Sequence, residues 1–297
     1  AYSIAGRAQD ANSMKLDYRN YLFESFVKIV NKMKPSIFVF ENVPGILSAV
    51  PGDIPVLNRI YEAFDQIGYE IRTPQMMKKS VYNALNYGVP QDRKRVIIFG
   101  VRKNGKIALE NLYKSLDNLS SENDHLTVKD AIGHLPKLKP LERNKTVHGM
   151  RRSHELVGAK SIIYHEPRYH NERDKEIFYN WVNKNMNKYS FEQKQRYYFE
   201  MTGKESNHIK YRSLDWNKPS PTIVAHLYKD GLMFIHPDED QKRSITVKEA
   251  ALLQTFPDEF IFSGSNASKF KMIGNAVPVN FSVKIAQAVD SILRDAL

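Results

Sequence analysis

The sequence predicts an α/β fold, and three observations carry that expectation. Apolar residues recur at helical spacing from Tyr21 to Met33 and stop before Pro35. Ile37-Phe38-Val39-Phe40 is apolar at every position and ends at once in Glu41-Asn42, and Arg95 to Val101 repeats that pattern. A strand apolar on both faces must be covered on both, and alternation with amphipathic helices supplies the cover. In such sheets ligand chemistry collects at the C-terminal ends of the strands.

Taken in order, Leu22, Phe26, Ile29, Val30 and Met33 define a first helix that proline must terminate. A buried strand over 36–40 follows. Ile54, Leu57, Ile60, Tyr61, Phe64 and Ile67 mark a second helix closed by Gly68, Tyr69 to Met77 reads as extended, and Arg95 to Val101 is a second buried strand. Beyond Arg102 the pair Asn104-Gly105 breaks the pattern, and a polar stretch to Asp124 reads as a hinge. Thr127 to Ile132 can begin a short capped helix. Regular apolar order returns in a helix over 246–254 and in a terminal one carrying Phe281, Ile285, Val289 and Ile292. The expected division is 1–125, then 126–240, then a return segment 241–297 that rejoins the first part.

With 297 residues, 42% of them hydrophobic, the chain can fill a sizeable core. No run of eighteen apolar residues occurs and the N-terminus lacks a signal-peptide pattern, so it reads as a soluble, cytoplasmic chain with no membrane partner. Cysteine is absent, which excludes disulfides and thiolate metal ligands, and no metal site is expected. The net charge is +11, and residues 137–212 hold seventeen basic and nine acidic side chains together with eleven aromatics. Cations neutralise phosphates and aromatic rings stack on bases, the footprint of a nucleic-acid surface; a solvated basic face over an aromatic core gives the same count.

Three constellations can carry chemistry. Glu41 stands directly after an apolar strand; such a residue is more often a surface acid, and its other reading is a carboxyl group whose partly desolvated site raises its pKa. Gln91, Arg93 and Arg95 recur at spacing two as the chain enters the second strand, which aims all three toward one face, suited to a carbonyl-bearing ring or a phosphate, or makes a basic edge segment. Ile273-Gly274-Asn275-Ala276-Val277-Pro278 reads as a turn feeding the terminal helix, with backbone N–H groups free for a polar ligand or simply a helix entry.

Read in order, these segments resemble the DNA (cytosine-5) methyltransferase family. Ala1-Tyr2-Ser3-Ile4-Ala5-Gly6 looks like the sequence just after the family's Pro-Cys-Gln, and Asp17-Tyr18-Arg19-Asn20-Tyr21-Leu22-Phe23 resembles its next motif. Phe40-Glu41-Asn42-Val43 is similar to its Glu-Asn-Val, and Gln91-Asp92-Arg93-Lys94-Arg95 to its Gln-x-Arg-x-Arg. Arg212-Ser213-Leu214-Asp215 through Pro219-Ser220-Pro221-Thr222-Ile223, then Gly274-Asn275-Ala276-Val277-Pro278, match two late motifs, although Val279 stands where many relatives have a further proline. Six ordered matches are far more specific than any one.

The resemblance implies part of an S-adenosylmethionine-dependent, Rossmann-like catalytic domain in 1–125, a smaller mixed target-recognition domain in 126–240 and a return to the catalytic domain in 241–297. It implies methylation of carbon 5 of cytosine in double-stranded DNA with S-adenosyl-L-methionine as cofactor, in a bacterial restriction-modification system and associated with the nucleoid. In that chemistry a cysteine thiolate adds to carbon 6 of a flipped-out cytosine and makes carbon 5 nucleophilic. Glu41 is then expected at ring N3 and Arg95 at the carbonyl oxygen, with Arg93 and Gln91 supporting the pocket and its phosphates and Asn42 ordering the strand end. Leu22, Asn275 and Ala276 fall where the family touches the cofactor. Ser3 and Arg7, in a mobile loop over 2–20, together with Gln91, Arg151 and Arg152, are the expected DNA contacts.

The nucleophilic cysteine and the glycine-rich cofactor motif would precede Ala1. The chain alone is therefore expected to be inactive, and to need its N-terminal portion or a companion polypeptide. A DNA-binding module without catalysis and a tRNA cytosine-5 methyltransferase are the competing readings; the long basic middle points to duplex DNA.

Overall fold

The computed structural model describes residues 22–50, 53–147, 149–158 and 161–296. In chain order its longer elements are α1 (Leu22–Met33), β1 (Ile37–Asn42), α2 (Val56–Gln66), β2 (Tyr69–Glu70), β3 (Val81–Asn83), β4 (Lys94–Arg102), α3 (Leu109–Asn118), α4 (Val128–Ile132), β5 (Leu138–Val147) and β6 (Met150–Leu156). They continue with α5 (Glu172–Asn183), α6 (Phe191–Thr202), α7 (Val247–Leu253), α8 (Asn266–Asn275) and α9 (Val279–Ala296). The chain forms two compact units, one of Ala1–Tyr87, Arg93–Glu122 and Asn280–Leu297, the other of Gly88–Asp92 and Asn123–Val279.

In the first unit β4 is the central strand. One edge pairs with β1 from Ile37↔Val101 to Asn42↔Val96, while the other takes β2 at its C-terminal end and β3 at its N-terminal end. All three partners are antiparallel to β4, so β1 and β2 run the same way on either side of it. The extended stretch expected over 69–77 shortens to the two residues of β2, because Met76–Ser80 turns into a 3₁₀ segment. Val96 to Phe99 are completely buried, as their unbroken apolar run requires. Period-two alternation sends Val96 and Ile98 into a core with Phe23, Val30, Ile60 and Phe64 from α1 and α2, whereas Phe99 meets the ring of Tyr113 on α3 at 5.0 Å. α1 stops where expected: Lys34 takes a left-handed φ of 46°, its N–H still reaching the Val30 carbonyl, and Pro35 follows. Gly100 pairs with Phe38 across the strands, and a Cβ there would overlap the Phe38 ring.

The second unit opens with α4, whose Thr127 and Asp130 close a reciprocal capping box. Its main core joins Val128 and Ile132 of α4 to Ile223, Leu227, Ile245, Leu253 of α7 and Phe270 and Ile273 of α8. A second cluster gathers Ile177, Phe178 and Trp181 of α5 with Met186, Tyr211 and Ile235, and Tyr197 and Tyr198 of α6 pack against it. Much of the aromatic richness of residues 137–212 is thus spent on a core; Tyr169, Tyr189, Phe191 and Phe199 remain exposed. β5 and β6 form an antiparallel hairpin with an irregularity between Pro140 and Lys145.

Two expectations are corrected by this unit. Residues 241–279 do not return to the first unit, since Ile245, Val247, Leu253 and Phe270 are all members of the second unit's core; only Asn280 onward rejoins the first. Gly274 and Asn275 are not a turn feeding the terminal helix but the last two residues of α8, with Ala276 as its C-cap. The glycine is needed for close packing, because a Cβ at Gly274 would collide with the backbone of Val224 and Ala225.

Candidate active site

β1 delivers Glu41 at its C-terminal end and β4 delivers Arg95 near its start, so the antiparallel pairing brings the two together from strands far apart in sequence. Arg95 Nε lies 2.8 Å from Glu41 Oε1, and Arg95 Nη1 donates to the Lys94 carbonyl at 2.7 Å. The Arg95 side chain is 11% exposed and the Glu41 side chain 30% exposed, which leaves Glu41 partly open to a ligand. Burial raises the Glu41 pKa above its ordinary value although the positive charges of Arg95 and Arg93 oppose the shift. Desolvation outweighs the ion pair here, so Glu41 takes up a proton more readily than a free glutamate. Arg93 is almost completely buried, and that burial, reinforced by the Arg95 charge and opposed by Glu41, pulls its pKa down to about 9. Burial likewise lowers Arg95, against the pull of Glu41. The result is one carboxyl and two guanidinium groups in a partly desolvated corner, able to hold a polar planar ring by a donor or acceptor at one edge and cations at another.

The supporting contacts are local. Asn42 Oδ1 accepts the Val43 N–H at 2.9 Å and so fixes the strand end beside Glu41. Asn83 Oδ1 accepts the N–H of Arg93 at 3.0 Å and of Leu85 at 3.2 Å, while the Ala84 N–H donates to the Arg93 carbonyl at 2.9 Å. Asn83 was not singled out from sequence, where an asparagine near a strand end carries no distinguishing signal.

Gln91 does not share a face with Arg93 and Arg95. The strand is interrupted at Arg93, and Gln91-Asp92 instead form a short parallel bridge with Ser220-Pro221 inside the second unit. The Gln91 side chain is completely buried, donates to the Leu253 carbonyl and to Gln254 Oε1, and accepts from the Ile223 N–H, so it is placed to hold protein and not to touch DNA.

Arg151 and Arg152 lie on β6 of the second unit, bordering a cleft of about 470 Å³ that Lys145, His165 and Tyr169 also line. The Arg151 guanidinium stands 5.6 Å from the Tyr169 ring centre and Arg152 reaches Glu166 at 3.6 Å. Leu22 opens α1 and is half exposed; Asn275 is exposed at the end of α8, and the Ala276 N–H is bonded to the Met272 and Ile273 carbonyls. Ser3, Arg7 and the loop expected over 2–20 lie outside the described residues. Among the described residues no group of histidine and carboxylate side chains is arranged to hold a metal, and no helix is long and apolar enough to cross a membrane.

Sequence reading also passed over a buried polar network in the second unit. Arg243 makes a bidentate pair with Glu249 at 2.6 and 2.7 Å, both side chains 1% exposed, and Gln241 Oε1 accepts from Arg243 and from the Leu138 N–H. Glu249 also closes the capping box with Thr246. The Thr-x-x-Glu spacing was a legible signal for that cap; the pairing with Arg243 was not.

Comparison with known proteins agrees over the whole chain. A type II methyltransferase of Bacillus paralicheniformis, M.Bpa9945I, is 38% identical over 99% of this chain and 68% of its own length. M1.HphI of Haemophilus parahaemolyticus, also a type II methyltransferase, is 30% identical over 97% of this chain and 65% of its own, so the chain spans about two thirds of these relatives. Among solved structures, one described as a prophage-encoded DNA modification methyltransferase from E. coli superposes with a TM-score of 0.62, 22% identity, and coverage of 94% of this chain and 75% of that one, which establishes the shared α/β fold. S-adenosylmethionine is the cofactor of such enzymes. The family description that matches, over residues 1–291, is C-5 cytosine-specific DNA methylase, and this chain belongs to that family.

Proposed function

We propose that this chain provides the base-holding and DNA-recognition parts of a DNA cytosine-5 methyltransferase of a restriction-modification system. The observation that carries the reading is the Glu41–Arg95 pair on neighbouring strands with Arg93 beside it. Glu41, whose hold on a proton burial strengthens, hydrogen-bonds N3 of an extruded cytosine and lends it a proton as the ring is attacked. Arg95 holds the carbonyl oxygen, and the charge of Arg93 supports both. Asn42 and Asn83 keep the two strand ends in place. S-adenosylmethionine supplies the methyl group, and Leu22, Asn275 and Ala276 are the residues of this chain that would hold it. The attacking thiolate comes from a segment outside these 297 residues, since none of them is a cysteine. Arg151 and Arg152 line the DNA side of the second unit, and the flanking Lys145 adds to the positive charge there.

The test is transfer of labelled methyl from S-adenosylmethionine to duplex DNA, using this chain alone and together with a polypeptide carrying the family's Pro-Cys-Gln segment. Incorporation is expected only in the mixture, and Glu41→Gln is expected to lower the rate by about 10²–10⁴-fold, the usual contribution of a positioned proton donor. DNA binding by the mixture without any transfer would instead favour the binding-module reading that the missing cysteine invites. Transfer to tRNA in preference to DNA would move the chain to the tRNA branch.

A further inference from the structure

Gln91 and Gln254 are both completely buried, and their carboxamides touch. Gln91 Nε2 donates to Gln254 Oε1 at 3.3 Å and to the Leu253 carbonyl at 3.1 Å, while its Oε1 accepts the Ile223 N–H at 2.9 Å. Gln254 Nε2 donates to the Ile273 carbonyl at 2.8 Å, and the Gln254 carbonyl accepts the Val279 N–H at 3.2 Å. The two side chains thus tie four stretches of the second unit, the segment 88–92, the Pro-Ser-Pro-Thr-Ile stretch, the end of α7 and the end of α8, and the Gln254 backbone carbonyl adds the turn after α8.

A pair of apolar side chains of equal volume would fill the same space without any polar group to desolvate. Buried amides cost stability unless every bond is made, and what they add is direction. The next residue reinforces the point. Thr255 is β-branched yet holds a left-handed φ of 58°, an arrangement that survives only where its surroundings over-determine it, and its hydroxyl donates to the same Gln254 carbonyl at 2.7 Å. Gln254 therefore sits at a point where the backbone accepts strain to keep one geometry.

From this geometry we propose that Gln254, acting through Gln91 and the Ile273 carbonyl, is a positioning residue for the end of α8: it sets where Asn275 and Ala276 stand toward the cofactor and anchors the Gly88–Asp92 segment. The proposal rests on the function proposed above, and a measurement that needs no activity separates the two.

Gln254→Met keeps the side-chain volume and removes the amide; Gln254→Ala removes both. In the mixture with the cysteine-bearing polypeptide, Gln254→Met is expected to raise KM for S-adenosylmethionine about tenfold with kcat changed by less than about twofold, as loss of a directed buried hydrogen bond implies. In this chain alone, amide hydrogen exchange of Gln254→Met is expected to quicken at 88–92 and 272–279 while the hairpin 138–156 keeps wild-type protection. A purely space-filling role predicts that methionine restores both quantities to wild type, and that result overturns the proposal. So does faster exchange spread evenly over the second unit, including in Gln254→Ala. Localised exchange changes in a chain whose wild-type mixture transfers no methyl would retain the clasp and remove the function reading.

Discussion

The core of the first unit is aliphatic and aromatic: Phe38 stacks on Phe64 with ring centres 4.3 Å apart, and its buried cations, Arg72 and Arg93, lie beside the carboxylates of Glu110 and Glu41. The second unit encloses charge and imidazole at its centre. Arg243 and Glu249 pair out of reach of water, and His154, His165, His170 and His236 are all buried around them or nearby. All eight histidines among the described residues fall in this unit. A sheet filled by dispersion and burial holds its shape regardless of acidity over a wide range, whereas a core built from ionisable groups ties its stability to their protonation. The unit proposed to hold the base is thus the pH-tolerant one, and the unit proposed to read DNA is the sensitive one.

Acid should break this contrast most strongly. Burial holds His154 down at about 4 and His170 and His236 down at about 3, all below the free value of 6.5. The unfolded chain then takes up protons first, so stability is complete above pH 6.5 and falls as pH drops from 6.5 toward 4 and 3, by about 1.4 kcal/mol per histidine per pH unit. Both tryptophans, Trp181 and Trp216, belong to the second unit, so their emission during urea titrations at pH 7, 5.5 and 4.5 reports that unit. A midpoint that does not move over this range would show that the imidazoles are not confined as neutral groups.

A smaller but more localised effect is expected from Glu249→Ala. It strands the buried Arg243 guanidinium and should cost about 3–5 kcal/mol, as removal of one partner of a buried pair does. The tryptophan transition should shift while amide protection in β4 stays at its wild-type level; equal loss in both would mean that the two units do not unfold separately. Smaller still is Gly100→Ala in the first unit, where the new methyl group displaces the Phe38 ring, at about 1–3 kcal/mol for overpacking. Here protection in β1 and β4 should fall and the tryptophan midpoint should hold.

Sequence made the first unit more legible than the second for the same physical reason. Apolar runs and helical spacing report burial directly, so α1, β1, α2 and β4 could be drawn from Leu22, Ile37 to Phe40, Ile60 and Phe64, and Val96 to Phe99. Glu41 could be singled out because it breaks the apolar order at a strand end, and Arg95 because it recurs with Arg93 at spacing two where the second strand begins. Buried polar groups have no such signature: Arg243, Glu249 and Gln254 look like surface residues until their partners are known. Period-two spacing misplaced Gln91 because the strand is interrupted at Arg93, and a glycine before an asparagine suggested a turn where close helix packing was the cause.

The cross-strand contact between Glu41 and Arg95 has a consequence for how the sheet assembles. Glu41 pairs in register with Ile97, and sliding β1 by a single position along β4 would turn Glu41 to the opposite face. The two charges therefore act as alignment marks, meeting only when every rung of the ladder is matched. A misthreaded sheet would be left without the corner proposed to grip the base, so the alignment of the ladder and the proposed chemistry would be lost together.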